Sequence, residues 1–317
     1  MTVLWIILAV LAVLLFFGYR LAAFAFKRRP IPDPTDPKVL KNSNWLQYEP
    51  HISNGAAWLK NQTVQELRVI SYDNKLLYGR FIPCENARGT IIQFHGYRSH
   101  FAVDFSASMK FYHEQGFHML IVDHRAHGNS EGKWITFGIK ERYDVLSWVT
   151  YLSLMLGEDH PIFLGGLSMG ASTVCMAADL EFPGNVRGII ADCGFTSPAE
   201  ILGYMAHKMY HVPGSIAVAF LNIFARLFAG FGLYQWSTVD ALRNTKLPVA
   251  FFHGTGDTLV PCEMSRKSFD ACAGEKVLTE FPGAEHGVSW LSDPARYKQV
   301  LLAFLEKHLS ETPTAVS

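Results

Sequence analysis

The sequence has no excess of charge of either sign: Lys and Arg total 28, Asp and Glu total 28, and the formal net charge is zero. A chain without a basic balance is a poor match to a phosphate backbone, so no nucleic-acid partner is expected. Paired cysteines are lacking too. The 5 cysteines, Cys84, Cys175, Cys193, Cys262 and Cys272, are odd in number and none forms a C-x-x-C pair. That argues against a disulfide framework or a structural zinc site and for free thiols in a reducing compartment. Neither an internal repeat nor a low-complexity segment appears. No Lys or Arg precedes the first apolar run, although a secretory signal would carry one there.

That apolar run occupies residues 3–19 and resumes after Arg20 as far as residue 26. It is long enough to cross a hydrocarbon core, with Arg20 snorkelling to one interface. Cleavage near Ala23-Phe24-Ala25 is the alternative. The length of the run and its uncharged start favour an uncleaved transmembrane anchor over residues 1–29. Arg20, Lys27, Arg28 and Arg29 follow the span, so the positive-inside rule places the rest of this single-pass membrane protein on the cytoplasmic face. Four prolines among residues 30–37 predict a stiff linker. Residues 30–64 read as that linker plus a peripheral helix in which no chemistry is evident, and 311–317 as a disordered tail.

Between them, residues 65–310 are enough for one large α/β domain. A hairpin over 67–82 is followed by short runs at 90–94, 119–122, 161–165, 186–191, 247–253 and 277–281 that read as strands, those at 90–94 and 119–122 like strands buried on both faces. Helical patterns at 101–115, 138–156, 261–273 and 294–309 separate them. The alternation breaks at about 196–242, which is apolar and rich in aromatics. This stretch reads either as a cap over a site, with Phe195, Met205, Phe220 and Phe224 lining an acyl or aryl pocket, or as helices packed on the sheet.

Chemistry concentrates around residue 168. Gly166-Leu167-Ser168-Met169-Gly170 matches G-x-S-x-G between an apolar strand and a small-residue helix, the setting in which a serine is held on a strained turn. A serine hydroxyl needs a base, an acid to orient that base, and donors for the oxyanion. Asp257 sits in a turn after one strand, in Gly-Asp-x-x-Val-Pro, and His286 in a glycine-flanked loop after the next. Asp192, at the end of an earlier strand, competes with Asp257 for the acid role. Upstream, His95-Gly96-Tyr97 closes a strand, with His95 either ordering that loop or taking part in chemistry. Asp123, His124 and His127 share a loop but have no H-E-x-x-H spacing, so no metal is expected.

Ser168, Asp257 and His286, in that order, with His95-Gly96 upstream and Asp123-x-Arg125-x-x-Gly128-x-Ser130 between, resemble the α/β-hydrolase superfamily. The likeness is to the serine-esterase and prolyl-oligopeptidase-like group, over roughly residues 65–309. The resemblance implies a mostly parallel eight-stranded sheet with helices on both faces and a helical cap insertion. It also implies a Ser168–His286–Asp257 triad, an oxyanion hole from the backbone N–H groups of Met169 and Tyr97, and a loop-bracing role for Asp123 and Arg125. Tyr97 is a further candidate for substrate contact. The implied activity is that of a membrane-anchored serine hydrolase acting on small carboxylic esters, lipid or acyl esters among them, with no cofactor and no metal. A peptidase, amidase or thioesterase of the same fold, or a catalytically silent scaffold, are the alternatives, because fold does not fix function.

Overall fold

Residues 1–31, 38 and 46–309 are described by the structure, a computed structural model. Of the expected Pro-rich linker only Pro30 and Ile31 fall among them, and the tail at 311–317 lies outside the described residues.

Eight strands build one sheet: β1 (Gln65–Ile70), β2 (Leu76–Ile82), β3 (Gly89–Phe94), β4 (Phe117–Asp123), β5 (Ile162–Leu167), β6 (Val186–Asp192), β7 (Val249–Gly254) and β8 (Lys276–Phe281). Their spatial order is 1-2-4-3-5-6-7-8. β1–β2 and β2–β4 are antiparallel, and every pairing from β4–β3 to β7–β8 is parallel. β3, β5 and β7 are buried along their whole length. Strands covered on both faces by crossover helices need no polar alternation, which is why they read as continuous apolar runs.

The helices, in chain order, are α1 (Thr2–Phe26), α2 (Glu49–Lys60), α3 (Phe101–Asp104), α4 (Ser106–Glu114), α5 (Glu141–Leu156), α6 (Met169–Met176), α7 (Pro198–Tyr210), α8 (Gly214–Phe224), α9 (Thr238–Leu242), α10 (Cys262–Ala271), α11 (Ser289–Ser292) and α12 (Pro294–Leu309). On one face of the sheet Trp148 and Leu152 of α5 and Val174 of α6 pack with Phe94, Leu164 and Phe251. On the other, Met109 and Tyr112 of α4 and Leu301 and Phe304 of α12 pack with Met119, Phe163 and Phe252. A third cluster joins Ala22 and Phe26 of α1 to Val218, Leu221 and Phe224 of α8 and to Phe137 and Phe195.

The expected helix over 101–115 is broken, and so is the apolar stretch of the cap. The 101–115 segment divides at Phe105, whose φ of −124° leaves the helical range. Just before the break, Asp104 turns inward to accept the Gly96 N–H at 2.7 Å. The apolar segment over 216–234 forms α8, then a π turn at Ala225–Ala229 that ends on Gly230 in the left-handed conformation, φ +68°. Glycine adopts that backbone without a Cβ penalty, and the chain leaves the helix there. α7, α8, the π turn and α9 are all inserted between β6 and β7.

Candidate active site

β5 ends on Leu167 and α6 begins on Met169, leaving Ser168 alone on the turn with φ +57° and ψ −116°. A non-glycine residue in that region is strained and persists only when its surroundings fix it. Here the Ser168 N–H donates to Asp192 O at 2.8 Å. The flanking glycines allow the approach. A Cβ on Gly170 would stand 1.8 Å from Phe94 O, and one on Gly166 2.3 Å from the Gly170 carbonyl carbon. Only residues without side chains let β3, β5 and α6 meet this closely.

The structure brings Ser168, His286 and Asp257 together. His286 Nε2 lies 2.9 Å from Ser168 Oγ, and His286 Nδ1 lies 2.6 Å from Asp257 Oδ2. Because a carboxylate only accepts, Nδ1 carries the ring proton and Nε2 is left to accept from the serine hydroxyl. Asp257 Oδ1 accepts the N–H groups of Leu259 and Val260, each at 2.8 Å. Burial alone would raise the Asp257 carboxyl, but hydrogen bonds from His253, His286 and the Val260 N–H together hold it well below the usual carboxylate range.

Asp192 is placed differently. It accepts from Ser289 Oγ at 2.9 Å, and burial pushes its carboxyl up to about 6. His286 therefore takes its carboxylate partner from the end of β7 and not from the end of β6.

The donors expected for an oxyanion sit at two chain ends. Met169 opens α6, so its N–H is one of those with no acceptor inside the helix. On the β3 side, Gly96 N donates to Asp104 Oδ2 and Arg98 N to His127 Nε2 at 3.1 Å, leaving the Tyr97 N–H between them without an acceptor among the described residues. His95 orders this turn: its Nδ1 donates to Gly96 O at 2.8 Å and its Nε2 accepts the His124 N–H at 3.1 Å. The DHRAHG loop below is braced as the resemblance implies. Arg125 pairs with Asp144 and Asp73, and Arg80 with Asp123.

The side chains expected to line a pocket lie elsewhere. A cavity of about 300 Å³ opens beside His286, lined by Gln47, Tyr48, Lys208, Thr258, Leu259, Glu285 and Val288. None of Tyr97, Phe195, Met205, Phe220 and Phe224 borders it. Tyr97 sends its hydroxyl away, to Ala25 O of α1 at 2.7 Å. Phe195 is buried beside Phe137, and Met205 packs on the same cluster. Phe220 is 41% exposed, and the Phe224 ring covers Gly18 of α1. The Phe224 ring thus lies against the N-terminal helix, while Phe195 and Met205 pack in the cluster that Ala22 and Phe26 of that helix join. The segment in which no chemistry was evident supplies Gln47 and Tyr48 to the cavity rim.

His253 joins the site without any motif that marks it. Its ring is fully buried at the end of β7, Nδ1 2.7 Å from Ser265 Oγ and Nε2 2.9 Å from Val260 O and 3.2 Å from Asp257 Oδ2. Two acceptors at Nε2 fix the proton there, so Nδ1 accepts from Ser265. A histidine inside an apolar strand four residues before a candidate acid was the signal available. Donor atoms of Cys193, Asp257 and His286 lie within 4.8 Å of one another. Yet the Asp257 and His286 atoms already bond each other and burial pushes the Cys193 thiol well up, so the set is poorly suited to a metal that needs a thiolate.

A family model described as serine aminopeptidase S33, of the Hydrolase_4 group, matches residues 85–233. YqkD of Bacillus subtilis is 27% identical over 238 residues, covering 74% of this chain and 76% of its own. The monoacylglycerol lipase of Mycolicibacterium smegmatis is 25% identical, over 68% of this chain and 86% of its own. Among solved structures, an esterase of Pyrococcus furiosus superposes with a TM-score of 0.65 at 23% identity, covering 84% of this chain and 96% of its own. The chain has the α/β-hydrolase fold, and over residues 85–233 it is similar to the serine aminopeptidase S33 family.

Proposed function

We propose that the protein is a membrane-anchored serine hydrolase that cleaves carboxylic esters through an acyl-enzyme on Ser168. The observation that carries this reading is the unbroken relay from Ser168 Oγ through His286 to Asp257, at 2.9 Å and 2.6 Å. Ser168 Oγ attacks the ester carbonyl carbon while His286 Nε2 takes its proton, and Asp257 holds the imidazole in the tautomer that can accept it. The carbonyl oxygen becomes an oxyanion facing the N–H groups of Met169 and Tyr97, an interaction worth about 3–4 kcal/mol per donor in comparable sites. His286 then protonates the leaving alcohol. A water that gives its proton to the same Nε2 attacks the acyl carbon and frees Ser168.

α1 supports the anchored part of the reading. It has 25 residues, about 38 Å at 1.5 Å per residue, against a hydrocarbon core of about 30 Å. Among the described residues it is the single helix long and apolar enough to cross a membrane by itself. Ala22 and Phe26 are fully buried in the domain, and Lys27 bridges to Trp134. Cleavage near Ala25 would excise part of the core, so a retained anchor fits better than a signal peptide. The basic residues that follow the span favour a domain on the cytoplasmic side.

An aminopeptidase reading also has an observation in its favour. Glu285 borders the cavity at His286, where a carboxylate could hold a substrate amino group. Two measurements separate the readings. A fluorophosphonate probe labels the wild type and not Ser168→Ala if Ser168 is the nucleophile; equal labelling of both removes it. p-Nitrophenyl esters hydrolysed far faster than aminoacyl p-nitroanilides support the esterase, and the reverse ranking supports the peptidase.

A further inference from the structure

The hairpin formed by α7 and α8 leaves a run of large apolar side chains in the open. Met209, Tyr210, Ile216 and Ile223 are each more than half exposed, as is Leu227 on the following π turn. Met209 and Tyr210 end α7, and Ile216, Ile223 and Leu227 lie on one side of α8 and the π turn. The helices are bent by 120° at their junction, so this is a wedge and not a straight span. Scattered exposed apolar residues need no explanation, but a contiguous set of this size marks an interaction surface.

Two features say what covers it. First, the wedge stands beside α1 and runs the same way. The Phe224 ring covers Gly18, Phe228 meets Tyr19 at 5.2 Å and Phe231 meets Phe26 at 5.1 Å. Contacts therefore advance together along both segments, and the part of α8 before Phe224 lies toward the exposed amino-terminal part of α1. A hydrocarbon core of about 30 Å takes about 20 residues of helix, which counted from Thr2 ends near Leu21, beyond Gly18 and Tyr19. Leu21 and Phe24 are themselves exposed on the outward side of α1. If α1 spans, the start of α8 must enter the bilayer with it. Second, residues 1–31 and 201–234 contain no Asp or Glu, whereas Arg20, Lys27, Arg28, Arg29, Lys208 and Arg226 all fall within them. Apolar stretches that carry cations and no anion along these two segments match an anionic lipid surface.

We propose that the α7–α8 hairpin is a second membrane contact, dipping one side of the cap into the leaflet beside α1. The proposal rests on the reading of α1 as an anchor. Lys208 borders the cavity at His286, and Met209 and Tyr210 follow it directly. The inserted hairpin thus sets the cavity mouth at the lipid surface, where an acyl ester can enter from the leaflet without crossing water.

The test uses the full chain reconstituted in phosphatidylcholine–phosphatidylglycerol vesicles doped with a phospholipid bearing a diazirine in its acyl chain. After illumination, adducts are mapped by peptide mass spectrometry. Adducts both in 2–17 and in 209–227 are expected. Adducts in 2–17 alone overturn the proposal and leave the anchor standing, whereas adducts in neither overturn both. Protein-to-protein cross-links joining 209–227 of two copies, without lipid adducts there, assign the surface to a second copy of the chain and also overturn the proposal. A second measurement uses Ile216→Asp with Ile223→Asp. Hydrolysis of p-nitrophenyl acetate is expected to stay within about two-fold of wild type, while hydrolysis of a long-chain ester embedded in the vesicles falls about ten-fold or more. An unchanged ratio of the two rates counts against the proposal.

Discussion

His253 Nε2 stands 3.2 Å from Asp257 Oδ2, the oxygen that also receives His286 Nδ1. One carboxylate oxygen thus faces two imidazoles, one from its own strand end and one from the loop beyond β8. The first imidazole is sealed from solvent and the second is open to the cavity. His253 does not reach Ser168, so its place in the proposed reaction is to fix the carboxylate that fixes the base.

Replacing His253 by Leu keeps approximate size and removes that donor. A hydrogen bond to a charged group is worth about 1.5–3 kcal/mol, so kcat for a soluble ester should fall about ten- to hundred-fold. KM should change little, because the ring does not border the cavity. His253→Gln, which can still donate, should recover part of the loss. Steady-state kinetics on the three proteins decide it; a KM effect with kcat intact would give His253 a different role.

Asp257→Asn should lower kcat by about 10⁴, since an amide in that place favours the wrong imidazole tautomer. Asp192→Asn should cost far less, because Asp192 bonds Ser289 and not His286. If the two losses came out alike, the acid would be shared between the ends of β6 and β7.

Removing residues 2–17 deletes the projecting part of α1 and should leave p-nitrophenyl acetate hydrolysis largely intact. Removing residues 2–29 takes away Ala22 and Phe26, both fully buried, and the carbonyls of Phe24, Ala25 and Lys27 that receive Arg98 and Tyr97. Loss of a buried aromatic costs about 3–5 kcal/mol, and here the loss adjoins the His95-Gly96-Tyr97 turn. The longer deletion should therefore be unstable and inactive even on soluble esters. Thermal unfolding and ester assays in detergent compare the two. Tyr97→Phe, which removes only the bond to Ala25 O, should cost about 1 kcal/mol of stability.

The two carboxyls at the sheet's edge act on stability in opposite pH ranges. Asp257 is depressed in the fold, so its contribution is complete above its unfolded pKa of about 3.9 and is lost only as pH falls through the lower folded value. Asp192 is raised by burial to about 6. Its contribution is complete below about pH 4 and is lost as pH rises through 6, a change on the order of 3 kcal/mol for a shift of about two units. Urea unfolding of wild type and Asp192→Asn between pH 4 and 8 should show the difference: the wild type loses stability on going up through this range, and the variant shows a flatter profile. Equal slopes would remove the effect from Asp192.

The strands were the most readable part of the fold. β2 has the bounds that its apolar pattern predicts, and β3 to β8 differ from expectation by a few residues at most; in β3, β5 and β7 burial along the whole strand keeps the apolar run nearly continuous. Gly166 and Gly170 identified the turn at Ser168 for a related reason, since close backbone approach admits only glycine. The cap's aromatic residues were misleading. Periodicity tells that Phe220, Phe224 and Phe228 share a helix face, but it does not tell whether that face meets a substrate, a sheet or another helix. Gln47 and Tyr48 carried no signal, because nothing local relates them to a histidine more than two hundred residues away.

By itself the sequence determined the strand order along the chain, the strained serine turn and the residue types able to do acyl transfer, all of which depend on near neighbours. The tertiary structure decided which carboxylate His286 meets and where the cavity opens. It also decided that α1 packs on the cap, with its last turn bonded to the Tyr97 loop. Those outcomes depend on how separate segments are brought side by side, and hydrogen-bond reach over 2.6 to 3.2 Å is a property of that assembly, not of spacing along the chain.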